Sequence, residues 1–398
     1  MRRDETDVFA RSQLFGRTHP TTDEYLDCRR SHPAFFMKLP FFLLLLLALA
    51  GCAAPDAVEG GRLRHATLLH IGRGDDHSVV TVRNPWDTTR VLQRYVLVPH
   101  DAPLPSPLPE GTLIRTPLRR TLSQSSVHAA LAVRLQAEHR LAGICDGGYV
   151  ISPAVRTLAL TDYGSGMQPD VERIAADSVD ALLVSPFENA GHGSLARLNI
   201  PIVECADYME GTPLGRAEWM RFYGMLWGCE ERADSLFSAE EKAYLDLRRK
   251  VADGARNRPT LMVDRKEGAA WHVPGGKSYL AVLYADAGAH YLFAHHARSG
   301  SVALSLESVL ATARSADVWV IKYGASANLT YASLLTDNAA CEAFRPYRER
   351  RVFGCNTLAV PYYEDLPFSP SILLAEWVAM LHPELLPAHR PRYFFPLR

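Results

Sequence analysis

EERADSLFSAEEKAYLDLRRKVADGA, residues 230–255, is the stretch that decides the architecture. Its apolar side chains Ala233, Leu236, Phe237, Tyr244 and Leu247 recur at roughly helical spacing, and charged residues fill the remaining positions. That pattern predicts one long helix. Residues 213–228, just before it, also read as helical. On either side the pattern changes. Upstream, strand-like runs at 122–126, from Ile144, at 181–185 and at 202–204 alternate with helical stretches such as 127–135. Beyond Pro259, strands at 260–263 and 318–321 alternate with helices over 278–287, 306–313 and 371–381. Strands alternating with helices argue for parallel sheets covered on both faces. The chain therefore reads as an N-terminal α/β lobe (62–228), an interdomain helix (229–256) and a C-terminal α/β lobe (257–398).

Composition excludes several functions. With 43 Lys+Arg against 44 Asp+Glu over 398 residues, the chain lacks the basic excess of a nucleic-acid binder. A hydrophobic fraction of 47% with 22% charged residues is globular. Seven cysteines are too few for a disulfide scaffold, and no C-x-x-C pair supports a structural zinc site.

Near the start, MKLPFFLLLLLALAGC from Met37 to Cys52 joins a basic flank, a short apolar run and a small-residue end. The run is too short to span a bilayer, and the order fits a secretory signal. Its Leu49-Ala50-Gly51-Cys52 end resembles the lipobox of bacterial lipoproteins, which implies lipidation at Cys52. Residues 1–36 form a polar preface, explained by Met37 as the true start or by an extended n-region. Residues 1–51 are thus extension and signal, and 52–61 a tether of small and polar residues. Beyond it, β-rich runs at 66–71, 78–82 and 91–98 precede a Pro/Gly-rich stretch, 101–111, that excludes a central strand.

A faint internal repeat links the lobes. Glu172 opens a helical stretch that leads to Asp180-Ala181-Leu182-Leu183-Val184, and Glu307 opens another that leads to Asp317-Val318-Trp319-Val320-Ile321. With Pro274-Gly275-Gly276-Lys277-Ser278-Tyr279 leading to Asp286 and Phe293, this order resembles the class III substrate-binding proteins of ABC importers. That group takes up iron–siderophores, haem and cobalamin, and the resemblance covers most of 112–380. It implies two Rossmann-like lobes joined by a rigid helix, a ligand held between the lobe tips, and a monomer that delivers to an ABC permease and its ATPase. It also implies a lipid-anchored periplasmic location and no cofactor, the ligand being an iron chelate or a metal-tetrapyrrole. Glu172 and Glu307 would dock the permease. The leading segment 67–98 departs from the family.

Ligands of open α/β sheets bind beyond the carboxyl ends of the strands. That rule nominates Tyr149, Phe187, Tyr208, Trp271 and Tyr323 as flat walls, each serving either a ligand or lobe packing. His192 and His272 are either axial ligands to haem iron or corrinoid cobalt, or ordinary surface or core histidines. No histidines form a compact metal set. Lys277, behind two glycines at a helix start, would meet an anionic chelate, or the glycines mark an ordinary turn. Two enzyme motifs fail. Trp271 stands where a P-loop needs its first glycine, and Gly191-His192-Gly193-Ser194 is no G-x-S-x-G elbow. The sequence shows no catalytic residues, and the rival class is a lipid-anchored α/β enzyme with an unrecognised site.

Overall fold

A computed structural model describes residues 63–188 and 191–398. Cys52, the apolar run before it and the tether lie outside the described residues. Among those described, no helix is long and apolar enough to cross a membrane.

Two buried carboxylates fasten the start of the described chain. Glu218 accepts hydrogen bonds from the backbone N–H groups of Arg64, His65 and Ala66 at 3.0, 2.7 and 2.9 Å. Glu210 accepts from the N–H groups of Thr67 and Leu68 and from the Trp219 indole. Charge-assisted bonds of this kind are about twice as strong as neutral ones, so the strap is firmly held. It leads into strands β1 (Leu69–Arg73), β2 (Ser78–Arg83), β3 (Val91–Pro99) and β4 (Thr112–Thr116), which form one sheet in that order. Val80, Val82, Tyr95, Leu97 and Ile114 share a core with Trp219 and Phe222. The leading β-rich segment is therefore built into the N-terminal lobe. Its Tyr95 hydroxyl donates to the Ile202 carbonyl at 3.1 Å and accepts the Glu204 N–H at 2.7 Å, which caps the edge of the neighbouring sheet.

That neighbouring sheet contains β5 (Thr121–Ser123), β6 (Leu141–Ile144) and β7 (Thr161–Asp162), then, after a small hairpin of β8 (Gly164–Ser165) and β9 (Gln168–Pro169), β10 (Ala181–Val184) and β11 (Ile202–Glu204). Its order is β11-β10-β5-β6-β7, all parallel. Helices α1 (Ser126–Arg134), α2 (Pro153–Arg156) and α3 (Val171–Ala176) connect the strands. After α4 (Pro213–Glu218) and α5 (Met220–Trp227), Gly228 takes a left-handed turn at φ +70°. This ends α5 without the steric cost a side chain would carry.

The long helix follows as α6 (Glu230–Gly254), with Glu230 and Glu231 in its first turn where the helix dipole favours them. Ala233 and Phe237 lie in the core of the N-terminal lobe, while Tyr244 and Val251 lie in that of the C-terminal lobe. One rigid element thus belongs to both cores, which restricts hinge motion between them.

The second lobe comprises β12 (Thr260–Val263), β13 (Lys266–Glu267), β14 (Ala270–Pro274), α7 (Tyr279–Asp286), β15 (His290–Tyr291), β16 (Ser301–Leu304), α8 (Leu306–Ala313) and β17 (Val318–Tyr323). Then come α9 (Tyr331–Asp337), α10 (Arg345–Arg348), β18 (Val352–Asn356), α11 (Tyr362–Asp365), α12 (Pro370–Leu381) and β19 (Phe395–Pro396). The main sheet runs β15-β12-β17-β18-β19, parallel except for β19. Strands β13, β14 and β16 make a small antiparallel sheet.

Trp271 corrects a sequence expectation here. It lies inside β14 and is 1% exposed, packed against Trp319 and Phe344, and its indole N–H donates to the Val263 carbonyl at 2.9 Å. It is a core residue and not a cleft wall. Tyr323 is likewise 7% exposed, its ring beside Gly354 and its hydroxyl accepting the Leu329 N–H at 2.8 Å. Both side chains point into packed protein because helices and the small sheet cover this face.

Candidate ligand cleft

In a parallel sheet, the crevice opens where successive crossovers leave a strand on opposite sides. In the N-terminal lobe this point lies between β5 and β10. Gln124, just after β5, accepts the Ser185 N–H at 2.9 Å and donates to the Gly166 carbonyl at 2.7 Å, tying three strand-end loops together. In the C-terminal lobe the switch lies between β12 and β17. Asp264 follows β12 in a left-handed conformation, φ +60°, which aspartate tolerates better than most residues. Its carboxylate pairs with Lys322 Nζ near the end of β17 at 2.9 Å. Burial works against the charge on this lysine, but the Asp264 carboxylate and nearby phenols more than offset it and raise the pKa.

The lobes meet across these ends. Glu364 on α11 accepts the Ile151 and Ser152 N–H groups at 2.9 and 2.7 Å. The Lys277 carbonyl lies close to Gly211. Arg216 on α4 stands over the Tyr279 ring, 5.6 Å from its centroid, and Arg134 donates to the Phe368 carbonyl at 2.7 Å.

Behind the N-terminal side lies a buried polar knot. Asp207 accepts from Tyr223 at 2.8 Å and Arg216 at 3.2 Å, and pairs with His128 at 2.9 Å. Burial lowers the His128 pKa, but Cys205 and Asp207 beside it raise the value to about 10. Thiol, imidazole and carboxylate come together here, the residue types of a nucleophilic site. Cys205, His128 and Asp207 are all buried, however, and Asp207 is shared with two further donors. A sealed thiol meets no substrate, so the knot joins α1, α4 and α5.

The remaining sequence candidates divide. Tyr149 is 40% exposed on the loop after β6, and Phe187 is half-buried after β10. Tyr208 donates its hydroxyl to the Pro186 carbonyl at 2.7 Å. Lys277 is exposed, its backbone N–H held by the Arg298 carbonyl. His192 pairs through Nε2 with Glu204 at 2.6 Å, and that hydrogen bond raises its pKa. His272 lies within β14, in register with Ala303 of β16. Among the described residues, no three His, Cys, Asp or Glu side chains are grouped to hold a metal ion.

The strand-end rule also nominates Lys322 after Ile321, but sequence reasoning missed its partner Asp264, the tyrosines 279, 284, 362 and 363, and Glu364. The doublet Tyr362-Tyr363 after Pro361 was the available signal, hidden because the short strand VFGCN before it was not recognised. Exposed large apolar side chains supply a further mark. Tyr149 follows β6 and Met167 lies in the turn of the β8–β9 hairpin in the first lobe, while Leu358 follows β18 and Tyr363 lies in α11 in the second. By contrast, a cavity of about 400 Å³ lined by Arg256, Arg258 and Arg351 opens at the opposite, amino-terminal edge of β12 and β17. It borders none of these loops.

Comparison with known proteins agrees with this geometry. An uncharacterised lipoprotein of Methanocaldococcus jannaschii is 26% identical over 325 residues, covering 76% of this chain and 75% of the relative. The crystal structure of a periplasmic haem-binding protein from Pseudomonas aeruginosa superposes with a TM-score of 0.53 at 20% identity, covering 69% of this chain and 95% of that one. A protein of an ABC-type Fe3+-hydroxamate transport system from Saccharomonospora viridis gives 0.53 at 17% identity, covering 68% and 94%. These structures share the fold. The periplasmic binding protein family model matches residues 132–357, from within α1 to just past β18, and so takes in strands of both lobes and all of α6. The chain belongs to the periplasmic binding protein family.

Proposed function

We propose that this protein is the lipid-anchored substrate-binding component of an ABC importer, capturing an iron chelate of siderophore type and delivering it to its permease. The observation that carries this reading is that one helix, α6, is shared by the cores of two α/β lobes, each of which exposes large apolar side chains near the ends of its strands. Tyr149, Met167, Leu358 and Tyr363 suit a ligand with broad apolar faces. Phe187 follows β10, Tyr208 follows β11 and Lys277 follows β14. A corrinoid or haem is the alternative ligand, supported by the haem-binding structural relative. For those ligands, the Glu204 partner of His192 is the kind of carboxylate that orients an axial histidine.

Glu172 and Glu307 fit permease docking. Each is the second residue of its helix, behind the N-caps Asp170 and Ser305, and each is exposed. Two carboxylates on separate rigid lobes fix orientation, and arginine binds carboxylate bidentately. Exposed pairs add little to stability, so Glu172→Ala and Glu307→Ala should keep ligand affinity and melting temperature while reducing uptake, the double variant most. Cys52→Ala should release the protein from membranes or leave its signal uncleaved.

The deciding experiment extracts the full chain in detergent and exposes it to ferric siderophores, cobalamin and haem. Absorbance and native mass should report stoichiometric capture of one class without product. Turnover of a small molecule, with no capture, would replace this reading with the enzyme one.

A further inference from the structure

The cavity of about 400 Å³ at the amino-terminal edge of β12 and β17 stands apart from the ligand cleft, and its wall is basic. Three neighbouring parallel strands, β12, β17 and β18, begin beside it. Arg256 and Arg258 come from the link between α6 and β12, Asp317 directly precedes β17, and Arg351 directly precedes β18. The aspartate is already committed. Its Oδ2 accepts the Thr260 N–H at 2.8 Å and the Thr260 hydroxyl at 2.6 Å, and its Oδ1 pairs with Arg345, which is not part of the wall. The wall arginines are far less engaged. Arg258 gives one N–H to the Ala289 carbonyl at 3.1 Å. Among the described residues, nothing hydrogen-bonds or ion-pairs with the exposed side chains of Arg256 and Arg351. Glu384, 3.7 Å from Nδ1 of His382, is the remaining carboxylate against three guanidiniums. Like charges gathered in one depression repel, and a counter-ion relieves that cost.

A second observation marks the same place. His382 stands between the wall residues Leu381 and Pro383 and is 0% exposed, yet neither ring nitrogen has a hydrogen-bond partner among the described residues. Native proteins leave few buried polar groups in that condition.

We propose that this cavity is an anion site for a phosphoryl group, separate from the cleft and served by Arg256, Arg258 and Arg351. Arginine binds phosphate oxygens through paired N–H donors. Guanidiniums delivered from the entries to two different strands suit the divergent oxygens of a tetrahedral dianion better than the coplanar oxygens of one carboxylate. The volume exceeds what a bare phosphate fills. The group is therefore a hydrated phosphate ion or the phosphate of a larger ester such as a phospholipid headgroup. The inference goes beyond the transport reading and does not depend on it.

The test uses the full chain in non-ionic detergent and phosphate-free buffer. Calorimetry follows inorganic phosphate, with malonate as a dicarboxylate control, and native mass follows added phosphatidylglycerol. Wild type should take up one phosphate or retain one phosphatidylglycerol. Arg256→Gln and Arg351→Gln remove no intramolecular bond, so both should melt as wild type does without ligand. Each should lose about tenfold in phosphate affinity and the double variant more, with lipid retention falling in the same order. Phosphate uptake alone supports the site and assigns a free ion. Lipid retention alone supports it and assigns a headgroup. Uptake of neither probe overturns the proposal. So does full affinity in the double variant, which would place the phosphate elsewhere, or a preference for malonate over phosphate that the two arginine variants abolish.

Discussion

The two sides of the cleft handle buried charge differently. On the N-terminal side, Asp207 takes His128, Arg216 and Tyr223 together, and among the described residues only Nδ1 of His128 in this group lacks a hydrogen bond. On the C-terminal side, which holds the Asp264–Lys322 pair, the buried hydroxyls of Tyr284 and Tyr362 have no hydrogen-bond partner among the described residues. A polar network that is nearly complete stiffens a fold, whereas one left open carries a desolvation cost that a ligand can relieve. The first lobe's polar groups thus hold elements together, and the second lobe leaves two buried phenols unpaired among the described residues.

The contrast can be broken most forcefully at its closed end. Asp207→Ala strands two buried cations and should cost about 3–5 kcal/mol in urea unfolding. A loss below about 1 kcal/mol would show that the knot holds little. Trp271→Ala should cost a similar 3–5 kcal/mol by opening a cavity in the core. Ligand affinity of the folded fraction should hold, and a selective affinity loss would return Trp271 to the cleft. Glu364→Ala removes the acceptor for two backbone N–H groups between the lobes and should cost about 1–3 kcal/mol. It should also increase amide exchange at Ile151 and Ser152 above that of the sheets.

A pH series sharpens the same contrast. The folded His128 pKa, about 10, stands above its ordinary 6.5. Its contribution is therefore complete below about pH 6.5 and is lost as pH rises through about 10. Melting temperature should decline across that window, and the decline should flatten in His128→Gln. An equal slope in both proteins would assign it to other groups. The smallest effect belongs to the open side, where Tyr284→Phe and Tyr362→Phe should shift ligand-free stability by no more than about 1 kcal/mol, in either direction.

The sequence alone determined the scaffold. Helix α6 was legible because 25 residues give many turns over which apolar spacing repeats. Strand β12 was legible because the apolar run Leu261-Met262-Val263 comes just after Pro259 and sits between helical patterns. The Glu172 and Glu307 helix starts were readable because helix N-termini select polar caps locally. Tertiary structure alone decided the site. Trp271 looked like a strand-end residue, but a two-residue turn with Gly268 at φ +58° folds it back into β14 and the core. Tyr323 went inward for the same reason, since a parallel sheet covered on both faces gives no alternation to reveal which residues stay accessible. Asp264 and Lys322 are 58 residues apart, and Arg216 and Tyr279 belong to different lobes. Periodicity reports which face of one element is apolar; it carries no information about which distant side chains the crossovers bring to one switch point. That pairing is fixed only when both sheets and α6 have packed.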